Sequence, residues 1–522
     1  MLNSVDFTGR PFHFIGIGGI GMSALAYVLA KRKLPVSGSD LRLSHITQRL
    51  QEEGIHVFWS QDPNNLEFFK SKAGSGESAQ TPEKTSSASP ELASTFPAQG
   101  IMSGNSSAPG KPATNGLPQV ICSTAIHAAN AEYVAARELG CPIFHRSDVL
   151  AGLMGEYRSV AVAGTHGKTT TSSLIGYLLL EAGLDPTIVV GGEVNAWGGN
   201  ARSGGGDFLV AEADESDGSL VKLAAEIGVV TNIELDHPDH YHDLNQVVDI
   251  FKAFASRCQT LVGCIDCATV RDALKPAITY SLDINSGADY TVDCITYRPD
   301  GTTARVWERG VILGRLDVRL LGQHNLSNAL AAVAIGRLLK LDFSAIARAI
   351  ATFEGARRRF EHRGEYNGIL FVDDYAHHPS EIRATLKAAR LQAKAWRNPR
   401  RRRVVAIFQP HRYSRTEAFL SEFAASFGEA DVVVLTDIYS AGELSQGRVT
   451  GQQVADLVAS YHSKVFYEAS LKAVSHLLTE ILMPGDIALF LGAGNLNQLI
   501  PELMALYQSL EQGASQGLCN QA

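Results

Sequence analysis

Two short stretches carry residue types that handle phosphate. "GTHGKTTT" runs from Gly164 to Thr171, after the strand-like "VAVA" and before a helix-like apolar pattern. Its glycines let backbone N–H groups approach an anion, Lys168 supplies an ammonium, and the Thr169 hydroxyl is a hard ligand for Mg²⁺. Gly164, Thr165, His166, Gly167, Lys168, Thr169 and Thr170 would therefore line the phosphates of a nucleotide. The common spacing G-x-x-x-x-G-K-[ST] would need glycine at 162, where this chain has Val162. The other stretch, "GIGGIG", sets Gly16, Gly18, Gly19 and Gly21 between a strand and a helix, and Asp40 ends the next strand. That is a G-x-G-x-x-G turn suited to a diphosphate, and it does not separate NAD from a nucleotide-sugar.

Acidic and basic clusters follow apolar runs. "EADESD" groups Glu212, Asp214, Glu215 and Asp217, and "NIELDHPDH" groups Asp236, His237, Asp239 and His240. Two such clusters downstream of a Lys-Thr phosphate loop point to metal–nucleotide binding. "QPHRYSRT" offers His411, Arg412 and Arg415, and arginine can grip a carboxylate with two parallel bonds. The histidines have a plainer reading as packed or capping groups. His377 and His378 can simply end a strand, and His166 can simply shape its turn, with no part in a chemical step. Cys264 and Cys267 form one C-x-x-C without a second pair or nearby His, which does not make a zinc site.

The elements that must position these groups read as α/β units. At 522 residues the chain has room for about three domains. "FHFIGI", "GMSALAYVLAKR" and "PVSGSD" read as strand, helix and strand. Residues 71–118 are rich in Ser, Gly, Pro, Ala and Thr, and read as a disordered insertion in the first domain. Strand character resumes at "QVICSTAI". A second domain opens near Glu156 and a third near Arg357, where "GILFVDDYAHHP", "RVVAIFQPHRYSRT" and "DIALFLGAGN" each run from apolar to polar, as parallel strands do at their carboxyl ends. The Arg400–Arg403 run reads as a solvated approach to a strand, and the last dozen residues as a frayed tail.

The net charge of −8 argues against a general nucleic-acid binder. No stretch is long and apolar enough for a membrane span, and the start lacks a signal-peptide pattern. Few cysteines in a long chain fit the cytoplasm. Oligomeric state is not readable.

From about Phe12 to Ile500, apart from the insertion, the chain resembles a Mur ligase, one of the ATP-dependent amide ligases that build the peptidoglycan peptide. "GTHGKTTT" is similar to that family's shortened phosphate loop. "GIGGIGMS", "EADESD", "DDYAHHPSE" and "FQPHRYSRT" resemble the branch that joins L-alanine to UDP-N-acetylmuramate through an acyl phosphate. The resemblance implies three α/β domains: a Rossmann-like UDP-sugar domain (1–155), a P-loop-type ATP domain (156–355) and a Rossmann-like amino-acid domain (356–522). It implies ATP and Mg²⁺ as cofactors, with Lys168 on the β/γ-phosphates and Thr169, Glu212 and His237 at the metals. His324, Asn325 and Asn328 resemble the adenine-contacting stretch, Asp374 the ribose ligand, and Arg358 a domain-linking arginine close to ATP. Gly16, Gly18, Gly19, Gly21 and Asp40 fall to the UDP-sugar. Tyr375, His377, His411, Arg412 and Arg415 fall to L-alanine, with His377 a candidate base.

Three other readings compete. A nicotinamide-dependent oxidoreductase would leave "GTHGKTTT" and "EADESD" idle. An ATP-driven switch would leave the third-domain clusters idle. Another Mur ligase, adding D-glutamate or a diamino acid, differs only in the amino-acid site.

Overall fold

The structure, a computed structural model, describes residues 4–69, 117–394, 402–445 and 447–519. The expected insertion lies outside the described residues except at its end, where Leu117 already packs on the first core and its carbonyl accepts from Arg10 Nε at 3.2 Å. Three sheets follow one another along the chain.

The first sheet has five parallel strands in the spatial order His56–Phe58, Val36–Ser39, Phe12–Ile15, Gln119–Cys122 and Ile143–His145. Phe12–Ile15, fully buried, is its centre, so the order of strands reverses there and the first glycine turn opens at its carboxyl end. Helix Ile20–Lys31 leaves that turn with its small and aliphatic residues inward.

The middle sheet has ten strands. Its parallel centre sets Arg158–Ala163 between Ile227–Val230 and Phe208–Glu212, and antiparallel strands extend both edges. The phosphate loop leaves the carboxyl end of Arg158–Ala163, and the two acidic clusters leave the strands on either side. Val162 is therefore a fully buried sheet residue, paired with Glu212 and Val229. The loop proper starts at Gly164, which is why the spacing is short.

The third sheet has six strands, with Ile369–Asp374, Ile487–Leu491 and Val404–Phe408 adjacent and parallel. Their carboxyl ends carry Asp374, Gly492 and Gln409.

The sheets are joined in two different ways. One apolar cluster runs from Phe12 and Phe14 of the first sheet to Leu209 and Phe251 of the middle unit. The third sheet has separate apolar clusters on its two faces. Polar groups do much of the work of tying it to the middle unit.

Two sequence expectations are corrected. Arg402 is 3% exposed and bonds Glu365, and Arg403 holds Asp486 at 2.8 and 2.6 Å. The described part of the arginine run is thus an anchored strand entry, because strand Val404–Phe408 is central and its approach is covered. The expected tail is the end of a helix, Leu499–Cys519. Among the described residues no helix is long and apolar enough to cross a membrane.

Beneath the first glycine turn, the fully buried Glu132 accepts from His13 Nε2 at 2.8 Å, Asn65 Nδ2 at 2.9 Å and the Ser39 hydroxyl. Glu132→Ala would strand all three donors, so a stability loss of about 3 kcal/mol or more is expected in urea unfolding. A loss below about 1 kcal/mol would show that water replaces the carboxyl group without cost.

Candidate active site

The phosphate loop is laced to the segment that follows Ile227–Val230. His166 N donates to Asn232 Oδ1 at 2.8 Å, and the His166 carbonyl accepts from Thr231 Oγ1 at 2.6 Å and Asn232 Nδ2 at 3.0 Å. Thr165 Oγ1 accepts from Glu234 N at 2.9 Å. Two glycines are required by this closeness. A Cβ on Gly164 (φ +139°) would lie 2.0 Å from Thr231 Oγ1, and one on Gly167 (φ +82°) would lie 2.7 Å from Asn328 Oδ1. Gly167 then starts helix Lys168–Glu181, whose first N–H groups face the loop.

Lys168 Nζ donates to the carbonyls of Gly164 (2.7 Å) and Thr165 (3.2 Å) and to Glu215 at 2.8 Å. Burial opposes its charge, but Glu215 and Asp214 hold its pKa above the ordinary value. Burial pushes the Glu215 carboxyl up to about 7 despite that lysine. Thr169 Oγ1 donates to Glu212 Oε1 at 3.0 Å, and Glu212 also accepts from Gly191 N at 2.6 Å. Neighbouring oxygens around one Mg²⁺, each at about 2.1 Å, lie about 3 Å apart, so the Thr169–Glu212 pair fits such an ion. His237, in a left-handed conformation (φ +55°), lies within electrostatic reach of Lys168 and Asp214.

The remaining acids are answered by cations from other sheets. Arg146, which follows the last strand of the first sheet, holds Asp214 at 3.0 Å and Asp217 at 3.1 Å. Arg415 of the third unit, 2% exposed, donates from Nε to Asp236 at 2.8 Å, and Arg412 donates to Asp239 at 2.9 Å and Glu443 at 3.2 Å. Only part of each acidic cluster is therefore placed for a metal.

The five residues expected around the amino acid do come together. The rings of Tyr375 and His377 lie 5.3 Å apart, and those of His377 and His411 5.9 Å apart. His411 Nδ1 faces Arg415 Nη1 at 3.4 Å, with Arg412 beside it. His377 Nδ1 lies 2.9 Å from the Tyr375 carbonyl, which fits a Nδ1–H donor and leaves Nε2 as an acceptor. Burial lowers His377 to about 4 and His411 to about 3, so both rings are neutral at neutral pH.

Four of the expected groups are placed as follows. Arg358 bonds the Gly492 carbonyl at 2.5 Å and faces Asp373 at 3.5 Å; Arg359 is the arginine that reaches Thr169 Oγ1, at 3.3 Å. Both guanidinium groups lie over the Tyr375 ring. Asp374 is buried and already accepts from Phe360 N (2.7 Å) and Ala376 N (2.8 Å). Asn325 and Asn328 bond one another at 3.2 Å, while His324 lies exposed at the start of their helix. Asp40 accepts from Gly18 N at 2.8 Å, so it closes on the first glycine turn itself.

Residue spacing gave no signal for one cluster. Glu381 caps helix Pro379–Lys394 by accepting from His377 N (3.0 Å) and His378 N (3.2 Å), and it faces His166 Nδ1 at 3.3 Å. Glu234 faces His166 Nε2 at 3.4 Å and accepts from Ser380 Oγ at 2.7 Å. Burial opposes a charge on His166, but the two carboxylates raise it to about 10. His166 is thus an imidazolium clasp between the phosphate loop and the third unit, although His166, Glu234 and His378 offer ligand atoms within 4.8 Å. A cavity of about 720 Å³ lies away from these groups, at the amino ends of the middle strands beside Tyr157, Asp207 and Gln259.

Three family profiles match in series: "Mur ligase family, catalytic domain" over 11–158, "Mur ligase middle domain" over 162–336 and "Mur ligase, glutamate ligase domain" over 358–494. The chain is 64% identical over 507 residues to a UDP-N-acetylmuramate–L-alanine ligase of Nostoc punctiforme, covering 97% of this chain and 98% of that one. It is 62% identical to that of Gloeothece citriformis, over 97% and 99%. Among solved structures, UDP-N-acetylmuramate–alanine ligase of Thermotoga maritima superposes with a TM-score of 0.75 at 25% identity, over 96% of this chain and 99% of that one. A murein peptide ligase of Psychrobacter arcticus shares the fold at TM-score 0.65 and 19% identity, over 96% and 99%.

Between about pH 4.5 and 7 the Glu215 carboxyl is protonated when folded and ionised when unfolded, so its contribution to stability falls as pH rises through that window. Glu215→Gln titrates in neither state. From pH 4.5 to 7.5 the native chain is expected to lose on the order of 2 kcal/mol more than this variant in urea titrations. Parallel stability curves would show that the folded carboxyl ionises normally.

Proposed function

The chain belongs to the Mur ligase family, and from that membership we propose that it joins L-alanine to the lactyl carboxylate of UDP-N-acetylmuramate at the cost of ATP. The product is UDP-N-acetylmuramoyl-L-alanine, a peptidoglycan precursor, with ADP and phosphate released. The observation that carries the reading is the pairing of a Lys-Thr phosphate loop with the Tyr375–His377–His411–Arg412–Arg415 cluster across one domain boundary. An oxidoreductase needs neither group. We place the reaction in the cytoplasm, where ATP and nucleotide-sugars are made.

The proposed domain roles are UDP-sugar on 1–155, ATP on 156–355 and L-alanine on 356–522. A carboxylate does not acylate an amine directly, so the γ-phosphoryl group of ATP first converts it to an acyl phosphate. Two anions must meet in that step. Lys168 would exchange its loop carbonyls and Glu215 for the β/γ-phosphates, and the first N–H groups of helix Lys168–Glu181 would meet the same oxygens. Arg359, with its guanidinium at Thr169, is the second cation in reach, while Arg358 steadies the linker. Thr169 and Glu212, with His237 nearby, would hold Mg²⁺, which neutralises phosphate charge when bound. His324, Asn325, Asn328 and Asp374 would lie on the nucleoside side.

The amine of L-alanine then attacks the acyl carbon and expels phosphate. Arg412 and Arg415 would share the amino acid's carboxylate, and the rings of Tyr375, His377 and His411 would flank its methyl group. The neutral His377, with Nδ1–H on the Tyr375 carbonyl, can take a proton at Nε2. In the first domain the turn of Gly16, Gly18, Gly19 and Gly21 would take the UDP diphosphate, with Asp40 moving off Gly18 N.

Phosphate release with ATP, Mg²⁺ and UDP-N-acetylmuramate is expected only on adding L-alanine among singly tested amino acids. Stimulation by D-glutamate or a diamino acid instead would assign another step of the pathway. Lys168→Ala is expected to lower turnover at least a hundredfold, as removal of a transition-state cation costs roughly 3 kcal/mol or more. UDP-N-acetylmuramate binding by calorimetry should be kept. Loss of that binding with ATP turnover retained would reverse the proposed domain roles.

A further inference from the structure

A second cluster of metal-ligating side chains lies at the seam between the phosphate loop and the third unit, apart from the Thr169–Glu212 pair. His166 Nε2 and Glu234 Oε2 are 3.4 Å apart, and His378 brings a third ligand atom within 4.8 Å of both. The centroids of the His166 and His378 rings are 4.8 Å apart. His378 is 4% exposed, and its Nε2 has no hydrogen-bond partner. Ser380 N donates to its Nδ1 at 3.3 Å, so the proton of the neutral ring sits on Nε2 and meets no acceptor.

The groups around these three hold them as an outer shell holds metal ligands. Glu381 Oε1 faces His166 Nδ1 at 3.3 Å, the carboxylate–histidine arrangement that leaves the other ring nitrogen for a metal. Ser380 Oγ donates to Glu234 Oε2 at 2.7 Å and fixes that carboxylate. Ligands about 2.1 Å from a tetrahedral ion lie about 3.4 Å from one another, which is the His166–Glu234 separation. The His378 ring would need to come in by at most about 1.4 Å. Glu234 and Glu381 already require positive charge between them, which the proton on His166 supplies. The Glu234 side chain is 44% exposed, and this gives an ion a way in.

We propose that His166, His378 and Glu234 form a binding site for a divalent transition ion of the Zn²⁺ class, which clamps the phosphate loop to the third unit. Two imidazoles and one carboxylate suit Zn²⁺, whereas Mg²⁺ prefers oxygen ligands. The ion takes His166 Nε2, His378 Nε2 and a Glu234 oxygen, with water in the fourth position. His166 releases its Nε2 proton to solvent. The His378 proton passes to Nδ1, where the contact to Ser380 N is given up. The loop and helix Pro379–Lys394, joined by the His166–Glu381 ion pair, are then joined by coordinate bonds as well. The ion's effect on turnover rests on the function proposed above, whereas its binding does not.

Co²⁺, an absorbing stand-in for Zn²⁺, would be titrated into the full chain with Mg²⁺ in large excess to fill oxygen sites. One equivalent is expected to bind, with the visible bands of a four-coordinate nitrogen–oxygen site and no near-ultraviolet band from a cysteine thiolate. One proton should be released per ion at neutral pH, and Zn²⁺ should displace the Co²⁺. His378→Ala and Glu234→Gln should each weaken binding by roughly tenfold or more, with circular dichroism checking the fold and either folded variant sufficient. Glu212→Gln, at the Mg²⁺ pair, should bind Co²⁺ as the native chain does. No binding, a thiolate band, or an affinity that falls in Glu212→Gln and not in a folded clamp variant would overturn the proposal. Ligase turnover should fall roughly tenfold with Zn²⁺ and recover on chelation, as the third domain is held to the loop. An active ligase that binds the ion without slowing would overturn the clamp. A chain that binds Co²⁺ as described and ligates nothing would strike the proposed function and leave the site standing.

Discussion

Carboxylates gathered at the ends of two buried strands must be answered by positive charge, and the arrangement of the molecule follows from where that charge comes from. Asp236 is 5% exposed and Glu215 2%. An uncompensated buried carboxylate costs several kcal/mol, so each acid needs a cation or a proton. Glu215 has Lys168 from its own domain, Asp214 and Asp217 have Arg146 from the first, and Asp236 has Arg415 from the third. The middle domain therefore completes its charge balance through its neighbours. Truncating Arg415 would leave Asp236 buried and alone, at about 3–5 kcal/mol.

The two junctions differ in kind because of this. A continuous apolar cluster joins the first and middle domains, and such contact changes little when ligands come and go. The third domain is held by Arg415–Asp236, Arg412–Asp239, His166–Glu381 and Ser380–Glu234. The partly exposed Arg412–Asp239 pair can be exchanged for a contact to phosphate, carboxylate or water at small net cost, whereas the buried Arg415–Asp236 pair holds the junction in place. The third domain is thus the one that can respond to ATP and the amino acid. Left-handed backbone at His237, Arg358 and Arg412 marks the points where that junction is shaped most tightly.

Much of this was legible from residue spacing. Glycine turns between apolar runs located the first strand, its helix and the phosphate loop, because period and turn chemistry are local. The gathering of Tyr375, His377, His411, Arg412 and Arg415 followed from a family resemblance and from strand ends that share one edge. Pairings across domains were not legible. Arg146 carries no motif, and its partners lie 68 and 71 residues away. Arg359 and Arg358 are neighbours of the same type, and only the backbone turn decides which guanidinium reaches Thr169. The Arg400–Arg403 run looked solvated because four like charges usually are, yet Arg402 meets Glu365 on an edge strand of the same sheet and Arg403 meets Asp486 just before the neighbouring strand.

The two glycine turns are also one device. Helix Ile20–Lys31 leaves the first turn and is stapled to the middle domain where Asn200 Nδ2 donates to Ser23 Oγ at 2.9 Å. A Cβ on Gly21 would lie 3.3 Å from Arg146 Nη1, so the third glycine of the turn leaves room for that guanidinium to pass. Beyond Gly21 it reaches Asp214, the carboxylate that helps hold the charge on Lys168. A single arginine thus links the turn assigned to the UDP-sugar with the lysine assigned to ATP. Negative charge arriving at the first turn would compete with Asp214 for Arg146, and Asp214 so released would strengthen its hold on Lys168.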